Sequence, residues 1–362
     1  MPAAHGVREN SAPALSFEHT TLAEILRAHG YRSAAFVGSA VLNPDRGLSQ
    51  GFERYDGVTG SQGRTRAAQR SAETVVDEAI LWLQDVDDQR FFLWTHFYDP
   101  HRPYEPPEPF ASRYAHDPYV GEIAYADFHI GRLLDTLERQ GRLDGTLVIV
   151  AGDHGESLGE HGERDHGIFV YESVLRVPLI IRAPAIEPRR VESVVRLVDV
   201  LPTALDLLGL PVPKTDGASL TGVMNGKRQD LDAYAESIYP RRFGWSPVRS
   251  LREGRFKLID APRPELYDLD RDPFEQHNIY SERPGTASAM GQHLSSFTDG
   301  TIWSELPDPR IELAPPDVRE RLAALGYVSQ GPLGGPPERR ALRDAKDFIG
   351  QNWSPRQPPD VP

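Results

Sequence analysis

The stretch that most constrains this chain is Leu147-Val148-Ile149-Val150, followed by Ala151-Gly152-Asp153-His154-Gly155-Glu156. Four apolar, mostly β-branched residues in a row read as a buried strand. The run breaks at Gly152, and a carboxylate and an imidazole then follow side by side. In open α/β sheets, ligands bind just beyond the carboxyl ends of the strands. Asp153 and His154 are therefore candidate metal ligands, because carboxylate oxygen and neutral imidazole both suit Mn, Zn or related divalent ions. The alternative is an ordinary turn in which both side chains make only local hydrogen bonds.

The next segment argues against the ordinary turn. Residues 153–163 hold two His, four acids and three Gly, and Asp165, His166 and Gly167 come shortly after. A loop this long and this polar, leaving a buried strand, is usually functional. Val177-Pro178-Leu179-Ile180-Ile181-Arg182 then returns as a second apolar strand.

These residues carry a resemblance. Gly152-Asp153-His154-Gly155-Glu156, Leu158-Gly159-Glu160-His161-Gly162, His166-Gly167 and Arg176-Val177-Pro178-Leu179-Ile180-Ile181 together resemble the bacterial-type sulfatase family of the alkaline-phosphatase superfamily. The fold this implies is α/β: a mainly parallel sheet sandwiched by helices, with a small C-terminal antiparallel subdomain. The activity it implies is metal-dependent hydrolysis of sulfuric esters, with a divalent ion such as Ca or Mn at Asp153 and His154.

The 362 residues suffice for one large α/β domain and a smaller one. A net charge of −13 argues against nucleic acid as a general partner, so an anionic substrate must be drawn by a local positive site. There is no cysteine, hence no disulfide and no thiolate ligand. No stretch suggests a membrane-spanning helix.

In chain order, residues 20–29 read as a helix capped by Thr20 or Thr21, and residues 33–41 as a strand. This is the alternation expected of a parallel sheet. Residues 66–87 carry Ala72, Val75, Val76, Ala79, Ile80 and Leu83 at helical spacing. Residues 91–97 are the next buried strand, and Tyr98-Asp99-Pro100-His101-Arg102-Pro103-Tyr104 follows at its carboxyl end. His101 matches the His of the family's DPHxPY motif, which implies contact with the leaving-group side. A His that titrates near neutrality suits a general acid, so His101 is the candidate catalytic residue. His96 is as well explained by packing at a strand end as by ligation. Residues 119–137 form a helix capped by Asp117, with Ile123, Ala126, Ile130, Leu133, Leu134 and Leu137 on the buried face. Glu122, Asp127 and His129 are then left to structure or solvent.

His166 stands where the family often has a Lys that binds the substrate's anionic oxygens, so it is the candidate substrate contact. Its other reading is a loop His paired with Asp165. Residues 197–209 and 216–220 resemble structural elements of the family. Residues 248–251 and 256–259 flank Glu253-Gly254 as a hairpin, and residues 265–269 add a strand. Expected domains are residues 1–240 (α/β), 241–285 (antiparallel) and 286–362 (a Pro-rich tail with a short helix at 316–325).

Other family features are absent. The 362 residues contain no C/S-x-P-x-R motif and none of the early strand ending in two Asp ligands. Trp245-Ser246-Pro247-Val248-Arg249 has the Pro and Arg but places Trp at the nucleophile position, and reads as a strand start. Gly38-Ser39-Ala40-Val41 lies where many relatives have GKWHLG. The expectation is therefore an inactive fragment of a sulfatase. A phosphonate or phosphate ester hydrolase and a non-catalytic anion- or carbohydrate-binding relative are the alternatives. The expected partner is a small-molecule or carbohydrate sulfate ester, and family analogy suggests a periplasmic or extracellular location.

Overall fold

A computed structural model describes residues 2–10, 12–58, 69–184, 186–227, 229, 231–297 and 342–349. The helix expected at 316–325 and most of the C-terminal tail lie outside these residues. The described residues fall into two compact units. One is built from residues 5–145, the other from residues 2–4, 146–297 and 342–349.

In the first unit, β1 (Arg32–Val37), β2 (Arg54–Asp56) and β3 (Phe91–His96) form a parallel sheet in the order β2-β1-β3. Helix α1 (Leu22–Ala28) begins with a reciprocal capping box. Thr21 Oγ1 accepts the Glu24 N–H at 3.2 Å, and the Glu24 carboxylate accepts the Thr21 N–H at 2.8 Å. Helix α2 (Ala72–Gln84) is capped by Ser71 and presents Val75, Val76, Ala79 and Leu83 to Ala34 and Phe36 of β1. Helix α3 (Pro118–Arg139) starts at Asp117, whose side chain accepts the Val120 N–H, with Pro118 at its first position. Leu133 and Leu137 join the same core.

The face of α3 departs from the expectation. Ile123 is 42% exposed, whereas Glu122 and His129 are 4% and 3% exposed and lie on the buried stripe with Tyr125, Ala126 and Leu133. Polar type alone put these two residues on the wrong side. Each is buried because it has a partner: Glu122 in the loop after β3, and His129 in Arg132, whose guanidinium lies 2.9 Å from Nδ1.

The second unit holds β4 (Val148–Ala151) and β5 (Leu179–Arg182), paired antiparallel from Val148↔Arg182 to Ala151↔Leu179. The expected strand is present, but it is half-buried rather than buried, with Ala151 exposed. An antiparallel sheet β6 (Ala233–Ser237), β7 (Val248–Glu253), β8 (Phe256–Asp260) and β9 (Glu265–Asp268) runs in sequence order. Glu253-Gly254 is the turn of the β7–β8 hairpin, as its sequence implies. Helix α4 (Val200–Leu207) precedes this sheet, and α5 (Pro284–Ser296) covers one face through Ala287, Met290 and Leu294. Trp245 is buried and stacks on Phe348 at 5.1 Å, so the Trp-Ser-Pro-Val-Arg segment is a packing element leading into β7. The α/β class and the antiparallel sheet agree with the expectation.

Candidate functional site

The polar loop after β4 is shaped by three backbone constraints. The ladder with β5 is extended by the Gly152 N–H, which donates to Pro178 O at 3.1 Å, so the chain leaves the sheet just before Asp153. The Gly155 N–H then donates to Val174 O at 2.8 Å, and a Cβ at Gly155 would lie 2.3 Å from Ser173 O. Only glycine permits this approach, which accounts for the Gly of Asp-His-Gly. Finally, the Ser157 N–H donates to Asp165 O at 3.1 Å, which draws Glu156 and His166 side by side.

Glu163 folds the far side of the loop. It is 1% exposed, and its two carboxylate oxygens accept the N–H groups of Ile168 and Phe169. Burial pushes its carboxyl up to about 8, against those two hydrogen bonds. Beyond it, Ile168, Phe169, Val170 and Tyr171 sink into the core beside Trp245, Val248 and Ile259. Each such apolar side chain contributes about 1.5–3 kcal/mol of burial. His166 is thereby held at the edge of a packed core.

Asp153, His154 and His166 are brought together. His154 Nδ1 lies 2.9 Å from Gly155 O, which fixes a proton on Nδ1 and makes Nε2 the nitrogen that could ligate an ion. That Nε2 is 3.8 Å from Asp153 Oδ2. The His154 and His166 rings lie with centroids 4.0 Å apart. His166 Nδ1 is 3.1 Å from a carboxylate oxygen of Glu156 and 3.1 Å from one of Asp165. Burial opposes charge on His166, but the Glu156 hydrogen bond and the surrounding carboxylates outweigh it and raise its pKa above the usual histidine value. This geometry suits both readings of His166: it pairs with Asp165, and its ring lies beside that of His154.

Sequence reasoning passed over Glu156. It forms with Asp165 and His166 a group whose potential ligand atoms lie within 4.8 Å of one another. Its signal was the position directly after Asp-His-Gly. The donor types at this end of β4 fit a hard or borderline divalent ion: carboxylate oxygens, imidazole nitrogens and no sulfur.

His101 belongs to the other unit. Its Nδ1 lies 2.8 Å from Arg102 O, and its ring stacks on Tyr98 at 4.3 Å. The loop that carries it is tied to two helices. Asp99 accepts the Ala72 N–H at the start of α2. Glu122 on α3 accepts the N–H groups of His101 and Glu105 at 2.9 and 2.7 Å. His96 is a strand-end residue: its Nδ1 faces the Gly38 N–H at 3.4 Å, and its ring packs edge-on to Trp94.

The chain is similar to several known proteins. A choline-sulfatase of Rhizobium meliloti (strain 1021) is 37% identical over 187 residues, covering 50% of this chain and 36% of the relative. The match thus spans about a third of that protein's length. A protein solved in complex with its substrate D-glucosamine-2-N,6-O-disulfate shares the fold, with a TM-score of 0.68 at 21% identity over 86% of this chain and 87% of the other. So does the phosphonate monoester hydrolase of Agrobacterium radiobacter, with a TM-score of 0.67 at 22% identity over 83% and 84%. The model described as N-sulphoglucosamine sulphohydrolase, C-terminal, matches residues 159–296. The Sulfatase model matches residues 2–210, more than half of the sequence, and the chain belongs to the sulfatase family.

Proposed function

We propose that this chain is part of a metal-dependent sulfuric ester hydrolase, with Asp153 and His154 of the second unit as the residues that hold its metal. The observation that carries the reading is the convergence of Asp153 and His154 at the end of β4, with the His166 ring 4.0 Å from that of His154.

Charge decides the order in which such a site fills. Asp153, Glu156 and Asp165 bring three carboxylates, and His166 offset by at most one positive charge leaves the cluster net negative. A sulfate ester is repelled by that cluster and drawn to it only once a cation is present. Asp153 and His154 are the residues that would hold the ion, with Glu156 and Asp165 within reach of His166. When bound, a divalent ion polarises the ester's non-bridging oxygens. His166 orients an anionic oxygen through its charge. His101, in the first unit, is the candidate proton donor by the family motif: with Nδ1 on Arg102 O, its Nε2 is the nitrogen that would carry the proton.

A titration of the chain with Mn²⁺ or Ca²⁺, followed by an aryl sulfate, tests the reading. Metal binding that is lost in Asp153→Asn, together with aryl sulfate binding only to the metal-loaded chain, is expected. Metal binding unaffected by that substitution defeats the reading, and absence of both supports a non-catalytic relative. Turnover is not the readout, because the 362 residues hold no cysteine and no C/S-x-P-x-R motif, and these residues alone are expected to be inactive.

The second reading is a phosphonate or phosphate ester hydrolase, kept open by the Asp-His pair at 153–154. Comparing affinity for an aryl sulfate and an aryl phosphonate separates the two.

A further inference from the structure

Glu122 is buried on α3 and its carboxylate is spent on one loop. Among the described residues, its side-chain hydrogen bonds are to two backbone amides: His101 N–H to Oε2 at 2.9 Å and Glu105 N–H to Oε1 at 2.7 Å. The two amides bracket Arg102-Pro103-Tyr104. A carboxylate in such a place is costly. It has no ion-pair partner among the described residues, and burial pushes it up to about 7 despite both bonds, with the charges of Asp99 and Glu105 adding to the effect. What the described residues set against that cost is the pair of loop amides whose N–H groups it accepts.

The ring of His101 supplies the explanation. It is fixed relative to its own loop by Tyr98, on which it stacks, and by Arg102 O, to which Nδ1 bonds. The place of the ring within the unit then depends on how the loop as a body is held. Asp99 ties its start to α2 through the Ala72 N–H at 2.9 Å, and Glu122 ties its middle and end to α3. Two oxygens on one rigid helical side chain are matched to two amides, a geometry that only a carboxylate satisfies. An amide side chain offers one acceptor and opposes the second N–H with its own donor.

We propose that Glu122 is the positioning residue for His101, setting where the imidazole stands by clamping the backbone on both sides of Arg102-Pro103-Tyr104. The functional weight of this clamp rests on the reading of His101 as proton donor, but its geometry does not.

The test uses the full chain with labelled histidines at pH 8, comparing wild type, Glu122→Gln and Glu122→Ala. Amide exchange at His101 and Glu105 and the His101 ring resonances are read, with the amides of β1 as the internal control. In Glu122→Gln, one of the two amides is expected to exchange about tenfold faster or more. In Glu122→Ala both do, and the His101 ring signals move in both variants while β1 exchanges as before. Unchanged exchange and ring signals in both variants overturn the proposal. So does faster exchange throughout β1 in Glu122→Gln, which would make the residue a support of the whole unit. His101→Gln is measured separately for binding of an aryl sulfate to the metal-loaded chain. An effect of Glu122→Gln on the ring with no effect of His101→Gln removes the role of His101 and leaves the clamp standing. The opposite pattern removes the clamp alone.

Discussion

The imidazoles of His154 and His166 face one another with centroids 4.0 Å apart and planes inclined by 31°, although one follows β4 directly and the other closes the loop. The Ser157–Asp165 backbone bond makes this contact, because it turns the intervening residues back on themselves. One ring has its Nδ1 on a backbone carbonyl, and the other has its Nδ1 between two carboxylates. Neighbouring rings of the same chemistry thus have different surroundings, which supports the two tasks proposed for them: ligation for His154 and positive charge for His166.

Metal affinity follows from the first task. Asp153→Asn removes a charged ligand and His154→Gln removes the imidazole. Each is expected to weaken Mn²⁺ binding by about tenfold or more in a calorimetric titration, since even outer-sphere changes commonly cost that much. Glu156→Gln, next to His166, is expected to have a smaller effect. Equal affinity in wild type and both ligand variants sinks the assignment of Asp153 and His154.

The anion should depend on the cation. With Asp153 beside His154 and with Glu156 and Asp165 on His166, chelation by EDTA is expected to abolish aryl sulfate binding, and restored metal to recover it. His166→Gln should then reduce affinity of the loaded chain several-fold, as expected for one lost charged hydrogen bond in a partly screened site. Anion binding that survives chelation contradicts the charge argument.

Glu122 gives the first unit a pH signature. Its carboxyl is raised from an ordinary 4.5 to about 7, chiefly by burial. A raised carboxyl pKa means the folded state holds the proton more tightly than the unfolded state. Its stabilising contribution is therefore complete below 4.5 and is lost as pH rises through about 7. On going from pH 5 to pH 8, wild type should lose on the order of 2 kcal/mol more than Glu122→Gln, after allowance for solvent screening. Urea midpoints at the two pH values measure the difference, and parallel pH profiles would contradict it.

Lys257 is the ionic hub of the second unit. It is 1% exposed and lies 3.1 Å from Glu172 and 2.9 Å from Glu275. Glu275 in turn accepts the Glu172 N–H. Lys257→Ala leaves the buried Glu275 without its cation, while Glu172 keeps Arg252 at 3.0 Å, and should cost about 3–5 kcal/mol in chemical denaturation. Removing charges together, as in Lys257→Met with Glu275→Leu, should restore part of that loss. A loss under 1 kcal/mol in the single variant would show that water reaches the cluster.

Local signals were legible in the sequence where local physics governs them. Thr21 with Glu24, Asp117 with Pro118 and the turn at Glu253-Gly254 are short-range patterns, and each element begins or turns where they place it. The Asp-His-Gly motif was legible because a close backbone approach demands its glycine. Glu122 was misjudged for the opposite reason. A helical wheel sorts residues by polarity, and nothing in the local spacing says that two loop amides from before the helix will seek a carboxylate on its inner face.

By itself, the sequence determined the family, the α/β class, the apolar faces of most elements and the chemical types of the candidate site, since these depend on side-chain chemistry and short-range spacing. The tertiary structure decided which groups meet: Glu156 against His166, Glu163 under the loop, and Glu122 beneath His101. Those pairings depend on where the backbone turns in space, and a buried polar group is tolerated only where such a turn brings it a partner.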